Sequence, residues 1–306
     1  MTIHVPVMLT ETLDLLVTDP AGIYVDGTLG TGGHLRALIE RLAPESRIIG
    51  IDADPQAVAF CRQAFEQQTN LLLIHNNFAE LRKILFRNRI SNIDGLLLDL
   101  GMSSFALDNS ERGFAFSTDG PLDMRFSPDS TEKASDLLNN ASLETLRDIF
   151  YRFGEERHST AIARAIVQTR STIPLTRTLQ LAEVIRGAVA TPFPNKTLSR
   201  IFQALRMAVN HETDRLESVL QQAVEVLKPK ARIVILTYHS IEDRIVKQFF
   251  TSESSNCICP PDLPVCGCDH RARLHILNRR PLIPSDAEIQ ANSRARSAKL
   301  RAAERI

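Results

Sequence analysis

A glycine-rich turn between two apolar runs constrains the fold of this chain more than any other feature. Residues 27–33, GTLGTGG, directly follow an apolar run that ends at Asp26, and the next apolar run ends at Asp52. Glycines let a backbone approach a ligand closely, and a carboxylate at the end of the second strand accepts hydrogen bonds from both hydroxyls of a ribose. The pattern therefore predicts a nucleoside site on a doubly wound sheet.

The charge of Asp26 bears on which nucleoside this is. Tight turns without any ligand use the same glycines, so the turn alone leaves a purely structural role open. A carboxylate directly before the glycines would oppose the pyrophosphate of NAD and favour a cationic ammonium or sulfonium. S-adenosylmethionine (AdoMet) carries both cations. The residues therefore favour a methyl donor over a dinucleotide.

The alternation of apolar runs predicts a parallel sheet. Short β-branched or leucine-rich runs occupy residues 23–26, 47–52, 71–75, 94–100 and 232–238. Helical patterns separate the early runs, at residues 34–42, 55–67 and 78–88. The first hundred residues thus read as βαβαβαβ. Two late runs, residues 274–278 and 297–304, would complete a seven-stranded sheet.

Residues 105–210 interrupt this alternation. They carry loop signals up to Ser130 and helical periodicity from Ala134 onward, which predicts an inserted and mostly helical domain. We expect residues 1–104 and 211–306 to form one discontinuous domain around this insertion. A 3.6-residue apolar stripe from Leu198 to Leu227 predicts one helix, which ends at residues 228–229, Lys-Pro.

Composition limits the class of protein. A hydrophobic fraction of 43% with 24% charged residues is ordinary for a soluble globular chain. No apolar run approaches the roughly 18 residues of a membrane span, and the N-terminus lacks a secretory signal. We expect a cytoplasmic protein without a membrane partner. The net charge is zero, but residues 271–306 hold nine Arg or Lys against three acids. A solvated surface and a phosphate-binding strip both remain open for this basic tail.

A series of short motifs along the chain carries a resemblance to a known family. They are HVPV (4–7), DGTLG (26–30) with GGH (32–34), DLGMSS (99–104), RGF (112–114), DGPLDMR (119–125), GEER (154–157), FQALR (202–206), HSIEDR (239–244) and RARSAKLR (294–301). On these residues the chain resembles the bacterial RsmH (MraW) family. That family methylates the exocyclic N4 amine of a cytosine in small-subunit (16S) ribosomal RNA with AdoMet.

The resemblance implies a class I methyltransferase, with a Rossmann-like doubly wound sheet. It also implies a set of AdoMet contacts: Gly32, Gly33, His34, Asp52, Phe78 and Asp99. Asp52 would bind the ribose and Phe78 would lie near the adenine, although a core phenylalanine is equally consistent with that position. Asp99 ends the fourth strand, where an N-cap is the alternative role. The chain departs from the family at Ala106, where a glutamine normally contacts the cofactor, and at Phe105, which replaces a proline.

The expected chemistry is direct transfer of the methyl group to a cytosine amine. Asp99 and Ser103 are the candidates for orienting that amine. Methylation of cytosine carbon 5 would instead require a thiolate near the fourth strand, and the nearest cysteine in sequence, Cys61, is expected to pack as a small apolar group.

The implied partner is ribosomal RNA, within a small subunit or its precursor. Phe114 and Phe116 are candidates for stacking the target base, or for anchoring the insertion, and residues 119–125 for a polar clamp. His239 would reach the same sheet edge or cap a helix. The candidates for phosphate contacts are Arg294, Arg296, Lys299 and Arg301. Nothing in the sequence fixes an oligomeric state.

Four cysteines form a compact group late in the chain. Cys257 and Cys259 are followed by Cys266 and Cys268, with His270 close behind. Four thiolates could bind zinc, and free thiols in an ordered loop are the alternative. One residue between the members of each pair is fewer than the two to four of common zinc motifs, so we expect no metal.

Two other classes of function remain as rivals. A nicotinamide-dependent oxidoreductase would share the glycine turn and Asp52. A non-catalytic ribosome-assembly factor would share the basic tail but need no intact donor site.

Overall fold

The chain divides into two compact units. The computed structural model describes residues 6–102, 109–260 and 266–306. Met1–Gly101 and Thr213–Ile306 form the first unit, which we call the sheet unit. Met102–Glu212 form the second, the helical unit. None of the described helices is both long and apolar enough to cross a membrane.

The described strands of the sheet unit form one seven-stranded sheet. They are β1 (Ile23–Asp26), β2 (Arg47–Asp52), β3 (Leu71–His75), β4 (Ile93–Asp99), β5 (Leu227–Thr237), β6 (Leu274–Ile276) and β7 (Lys299–Arg305). Their order is β3-β2-β1-β4-β5-β7-β6. Strands β1 to β5 are parallel, and β7 is antiparallel to both of its neighbours. The strand order reverses direction between β1 and β4, which is where such sheets bind ligands.

Helices cover both faces of the sheet. The first four in chain order are α1 (Leu9–Leu16), α2 (Gly33–Arg41), α3 (Pro55–Ala64) and α4 (Leu81–Arg87). A short 3₁₀ turn, Phe78–Glu80, precedes α4, so the predicted helix over residues 78–88 begins as a tighter turn. In β4, Leu96 and Leu98 pack into the core formed with α4, whereas Leu97 packs into the core formed with α1, α2 and α3. Burial on both faces explains why three apolar residues, Leu96 to Leu98, follow one another in this strand.

The helical unit has a core of its own. Its helices are α5 (Ala134–Asn140), α6 (Leu143–Arg152), α7 (Ser159–Arg170), α8 (Thr178–Ala188) and α9 (Pro194–Val209). Phe114 is buried in this core and stacks on Phe126 with ring centroids 5.6 Å apart. Phe116 meets the edge of Phe202 at 5.7 Å. Both phenylalanines therefore anchor the unit, which is one of the two roles that the sequence left open for them.

Part of the polar run at residues 119–125 is hydrogen-bonded within the helical unit. Arg125 donates to both carboxylate oxygens of Asp123, at 2.7 and 2.8 Å. Arg112 donates to the carbonyls of Arg125 and Phe126, at 2.8 and 3.0 Å. These bonds fix the segment before α5, so Asp123 and Arg125 contribute to the fold of the unit, and the clamp stays a prediction.

The apolar stripe from Leu198 to Leu227 is two helices, and the prediction of one was wrong. After α9 the chain breaks at Asn210 and His211, and α10 runs over Glu212–Val226. His211 has a left-handed backbone with φ of 49°. The side chain of Asn210 accepts the Phe126 N–H at 2.8 Å and donates to the Met124 carbonyl at 2.7 Å. These distant partners hold the break in place.

The chain beyond α10 also differs from the prediction. Lys228 and Pro229 belong to β5, which begins at Leu227. The pairing of β4 with β5 shifts register between Ile93 and Gly95, and Lys230 has a φ of 67°. A strand tolerates proline at such an irregularity. The remaining helices are α11 (Ser240–Glu253) and α12 (Asp286–Ala291), with a 3₁₀ turn at Ser293–Ser297.

The buried amide of Asn210 predicts a measurable loss of stability. Asn210→Ala leaves the Phe126 N–H and the Met124 carbonyl without this partner, so we expect a loss of about 2–4 kcal/mol in the free energy of unfolding. Urea denaturation measures this loss. Asn195→Ala, at an exposed position on the same helix α9, is the control and should change stability by less than about 0.5 kcal/mol. Equal stability of the two variants would contradict the role given to Asn210.

Candidate active site

Three carboxylates end neighbouring strands at the same edge of the sheet. Asp26 is the last residue of β1, Asp52 of β2 and Asp99 of β4. Asp26 pairs with Gly50 in β2 and with Leu97 in β4. Asp52 and Asp99 each lie two residues beyond those partners, and residues two apart point to the same face of a sheet. The register therefore brings the three predicted carboxylates together.

The glycine turn continues the hydrogen bonding of this edge. The N–H of Gly27 donates to the carbonyl of Leu97 at 2.9 Å, and the N–H of Leu29 to that of Ile51 at 3.2 Å. Gly32, the N-cap of α2, has a φ of 75°, and a Cβ there would come within 2.8 Å of the Phe65 ring. Only glycine meets both conditions without strain.

Asp26 has an unsatisfied oxygen. Its Oδ1 accepts the N–H of Thr28 at 3.0 Å, whereas its Oδ2 is buried and has no hydrogen-bond partner among the described residues. The pKa of Asp26 is raised to about 7, mainly by burial and also by the charges of Asp99 and Asp52, whereas the hydrogen bonds to Thr28 lower it. The site thus holds a carboxyl that lacks a positive partner, and a cation placed here would be stabilised.

Asp52 closes the glycine turn from the neighbouring strand. Its Oδ2 accepts the N–H of Gly30 and its Oδ1 accepts the N–H of Asp54, both at 2.8 Å. Burial raises its pKa to about 6, although the two hydrogen bonds lower it. A carboxylate oxygen has two acceptor positions, so Asp52 retains capacity for the hydroxyls of a ribose.

Asp99 is held by partners from several elements. Its own N–H donates to Thr28 Oγ1 at 2.7 Å, and its Oδ1 accepts the N–H of Gly101 at 3.2 Å. The hydroxyl of Tyr238 hydrogen-bonds to the carboxylate, and His34 Nδ1 lies 3.6 Å from Oδ2. Burial, followed by the charge of Asp99, raises the pKa of Tyr238 above its usual range, so this hydroxyl keeps its proton.

Two of these residues were missed in the sequence. Thr28 lies inside the glycine turn, and its hydroxyl joins the end of β1 to the end of β4. Tyr238 directly follows β5, and its ring is so close to Gly101 that a Cβ there would come within 2.9 Å of it. The position of Tyr238 directly after a strand of the parallel sheet is the sequence feature that could have indicated a role at this edge.

His34 and Phe78 lie beside the carboxylates. His34 is buried in the first turn of α2, and its Nε2 is 3.2 Å from the carbonyl of Val7. Phe78 follows β3, where its Cβ is 3.3 Å from the position that a Cβ on Gly27 would occupy. Phe78 also packs against the sheet core, which is the structural role that the sequence left open for it. Ser103, with Phe105 and Ala106, lies outside the described residues.

His239 caps a helix. It is the N-cap of α11, and its Nδ1 accepts the N–H of Glu242 at 3.4 Å. Its Nε2 is 3.0 Å from the carboxylate of the same glutamate. Of the two roles that the sequence left open for His239, the structure provides the capping role.

Two of the predicted phosphate contacts belong to an internal ion-pair network. Arg301 donates to Asp243 at 2.6 Å, and Lys299 donates to the same carboxylate at 3.0 Å. Arg301 is buried, which removes it from the surface. Both ion pairs lower the pKa of Asp243 even though burial opposes them. Arg296, by contrast, is exposed.

The fold and the carboxylate edge together define an AdoMet-dependent methyltransferase of class I. The strand order, with β7 antiparallel, supplies the scaffold. The unpartnered Asp26 Oδ2 fits a positively charged nucleoside and would repel a pyrophosphate.

Comparison with known proteins identifies the family. The sequence profile described as the MraW methylase family matches residues 1–306. A ribosomal RNA small subunit methyltransferase H from Carboxydothermus hydrogenoformans is 46% identical over 306 residues, covering 99% of this chain and 98% of the relative. Its counterpart from Thermomicrobium roseum is 47% identical over 307 residues, covering 100% and 94%. A solved structure of a putative rRNA methylase from Clostridium thermocellum aligns over the whole of both chains at 13% identity, with a TM-score of 0.45. This chain belongs to the MraW methylase family.

The raised pKa of Asp26 predicts how stability depends on pH. Between about pH 4 and pH 7 the ligand-free native protein keeps a proton that the unfolded chain has released, so its stability falls as pH rises. Asp26→Asn cannot ionise, so its loss of stability between pH 4.5 and pH 8 should be smaller by ~1–4 kcal/mol. Urea unfolding at several pH values measures the difference.

The control for this experiment is Asp129→Asn, which changes an exposed carboxyl in the helical unit. It should leave the pH dependence of wild-type protein unchanged. An Asp26→Asn variant whose stability follows pH as wild-type protein does would show that Asp26 has no raised pKa.

Proposed function

We propose that this enzyme transfers a methyl group from AdoMet to the exocyclic N4 amine of a cytidine in small-subunit (16S) ribosomal RNA. The observation that carries the proposal is the position of Asp99, a hydrogen-bonded carboxylate at the edge where Asp26 and Asp52 fit a cationic nucleoside. The names of relatives at 46–47% identity over nearly the whole chain support ribosomal RNA of the small subunit as the substrate.

The donor would be held by the residues around the glycine turn. We assign the AdoMet contacts to Gly32, Gly33, His34, Asp52, Phe78 and Asp99. Bound AdoMet supplies an electrophilic methyl group on a sulfonium. Asp52 would accept hydrogen bonds from the ribose, and Phe78 would offer an aromatic face to the adenine. His34 would help to fix Asp99, because its Nδ1 lies 3.6 Å from that carboxylate.

Asp99 has the properties that an amine acceptor requires. The exocyclic amine of cytosine is a poor nucleophile because its lone pair is delocalised into the ring. A carboxylate that accepts one of its N–H bonds orients the amine and stabilises the positive charge that develops as the methyl group arrives. The Gly101 N–H and the Tyr238 hydroxyl hold Asp99 in one orientation. Ser103 is the second candidate for orienting the amine.

The state of Cys61 disfavours methylation of carbon 5. That reaction needs a thiolate that attacks the base. Cys61 is fully buried, and its Sγ lies 3.9 Å from the carbonyl of Gly30. Burial, together with the charges of Asp26 and Asp52, raises the pKa of its thiol to about 12. A neutral, enclosed thiol fits the packing role expected from the sequence.

We assign substrate recognition to the inserted helical domain, residues 105–210. It has its own core, which includes Phe150 and Leu205, and it carries several of the family motifs. The substrate would be the RNA of a small ribosomal subunit or its precursor, which implies a cytoplasmic location. Arg294 and Arg296 remain the candidates of the C-terminal basic tail for phosphate contacts.

Mapping the methylated nucleoside tests the proposal. The protein is incubated with methyl-labelled AdoMet and, in separate reactions, with small ribosomal subunits and with naked 16S RNA that lack the modification. Nucleoside mass spectrometry should then place the label in N4-methylcytidine. Label in 5-methylcytidine, or in protein alone, would refute the assignment.

The role of Asp99 predicts a selective loss of rate. Asp99→Asn keeps the shape of the side chain but removes the negative charge, so kcat should fall by ~10²–10⁴-fold. Tyr238→Phe removes one hydrogen bond to Asp99 and should lower kcat by a smaller factor. Single-turnover methylation of the same RNA particle measures both.

A matched control separates this role from general damage to the sheet unit. Asp14→Asn changes an exposed carboxyl on α1 and should leave the rate unchanged. If Asp99→Asn methylates RNA at the wild-type rate, Asp99 does not orient the amine.

A further inference from the structure

A long loop in the sheet unit carries a cluster of cysteines that the methyl-transfer site does not use. Residues 254–273 connect α11 with β6 and hold four of the five cysteines of the chain: Cys257, Cys259, Cys266 and Cys268. The base of the loop is closed by Arg273, which donates to both carboxylate oxygens of Glu253 at 2.6 and 2.7 Å.

The fold gathers the four sulfur atoms of this cluster. The Sγ of Cys257 lies 3.3 Å from that of Cys266, and the Sγ of Cys268 lies 3.6 Å from Cys266 and 3.7 Å from Cys257. All four Sγ atoms, that of Cys259 included, lie within 4.8 Å of one another. Sulfurs bound to a tetrahedral zinc at about 2.3 Å are separated by about 3.8 Å. The observed separations have the size of such a ligand shell.

The short spacing within each pair does not prevent this geometry. Side chains two residues apart point to the same side of an extended backbone, so a Cys-x-Cys segment can present both sulfurs to one ion. Two such segments supply the four ligands of a closed structural site. His270 is not needed, because its Nε2 is directed to the carbonyl of Ser252 at 3.1 Å.

Backbone donors surround the sulfur atoms. The N–H of Cys259 donates to the Sγ of Cys257 at 3.4 Å, and the N–H groups of Ile258 and His270 donate to the Sγ of Cys268. Such outer-shell hydrogen bonds orient thiolate ligands and offset their negative charge.

Apolar burial does not hold the described part of this loop. Ile258 is 54% exposed, and Cys257 and Cys266 are exposed as well. A cluster of small reduced thiols contributes little packing energy at the surface. A metal ion that cross-links both segments would supply the missing constraint.

We propose that Cys257, Cys259, Cys266 and Cys268 together bind one structural zinc ion that fixes the loop between α11 and β6. Zinc binds the thiolate forms, so binding releases the thiol protons to solvent, and no redox change is involved. The four protein ligands leave no open position for substrate or water. This proposal departs from the expectation, based on spacing alone, that the chain holds no metal. The proposal does not depend on the methylated nucleoside.

Elemental analysis of the full-length protein tests the site. The wild-type protein, purified in reducing buffer without chelators from zinc-supplemented medium, should contain about one zinc per chain after gel filtration. The zinc content per chain of the double variant Cys257→Ser/Cys266→Ser should be lower than that of wild-type protein by a factor of about ten or more. Cys61→Ser, which changes the cysteine outside the cluster, and His270→Ala should both keep it.

A second measurement uses only wild-type protein, in case the double variant does not fold. After removal of zinc with a chelator, titration with Co²⁺ should produce the absorption bands of tetrahedral cobalt thiolate and saturate near one equivalent. Each of four results would overturn the proposal: zinc below about 0.1 per chain in wild-type protein, wild-type zinc in the double-serine variant, stoichiometric iron in place of zinc, or disulfides among these cysteines under reducing conditions.

Discussion

The burial of Asp26 between two other carboxylates is the constraint on which the rest of the structure depends. Asp52 and Asp99 both raise the pKa of Asp26, whose Oδ2 has no hydrogen-bond partner among the described residues. A fold that places three acids at one sheet edge accepts an energetic cost in the ligand-free state. A cation bound at this edge would offset that cost, because it would stabilise the ionised carboxylates. The glycine turn supports the arrangement, because the backbone N–H of Gly30 donates to Asp52, as does the N–H of Asp54 beyond β2.

The same edge connects donor binding with the proposed chemistry. Thr28 joins the end of β1 to the end of β4, so the turn that forms the donor site also positions Asp99. Tyr238 approaches Asp99 from the end of β5. In the proposed reaction Asp99 would serve both substrates, because its neighbours would hold the donor and its carboxylate would accept a hydrogen bond from the amine.

The sequence predicts the part of the site that strand ends determine. Asp26, Asp52 and Asp99 follow apolar runs, and parallel strands end at one edge, so their proximity is a consequence of topology. The sequence did not predict a role for Tyr238, because that role depends on a contact with Asp99 on the neighbouring strand. The break at Asn210 escaped for the same reason, since its partners Met124 and Phe126 are remote in sequence. The cysteine cluster shows the limit of spacing rules, because the approach of two segments decides which sulfurs meet.

Proton release during AdoMet binding tests the central claim most directly. Near pH 6.5 the raised pKa of Asp26 keeps this carboxyl largely protonated in the ligand-free protein, and a bound cation should expel the proton. Calorimetry in two buffers of different ionisation enthalpy should therefore detect release of a substantial fraction of a proton by wild-type protein and much less by Asp26→Asn. AdoMet should also bind the variant more weakly. Equal affinity, with no proton release from either protein, would contradict the account.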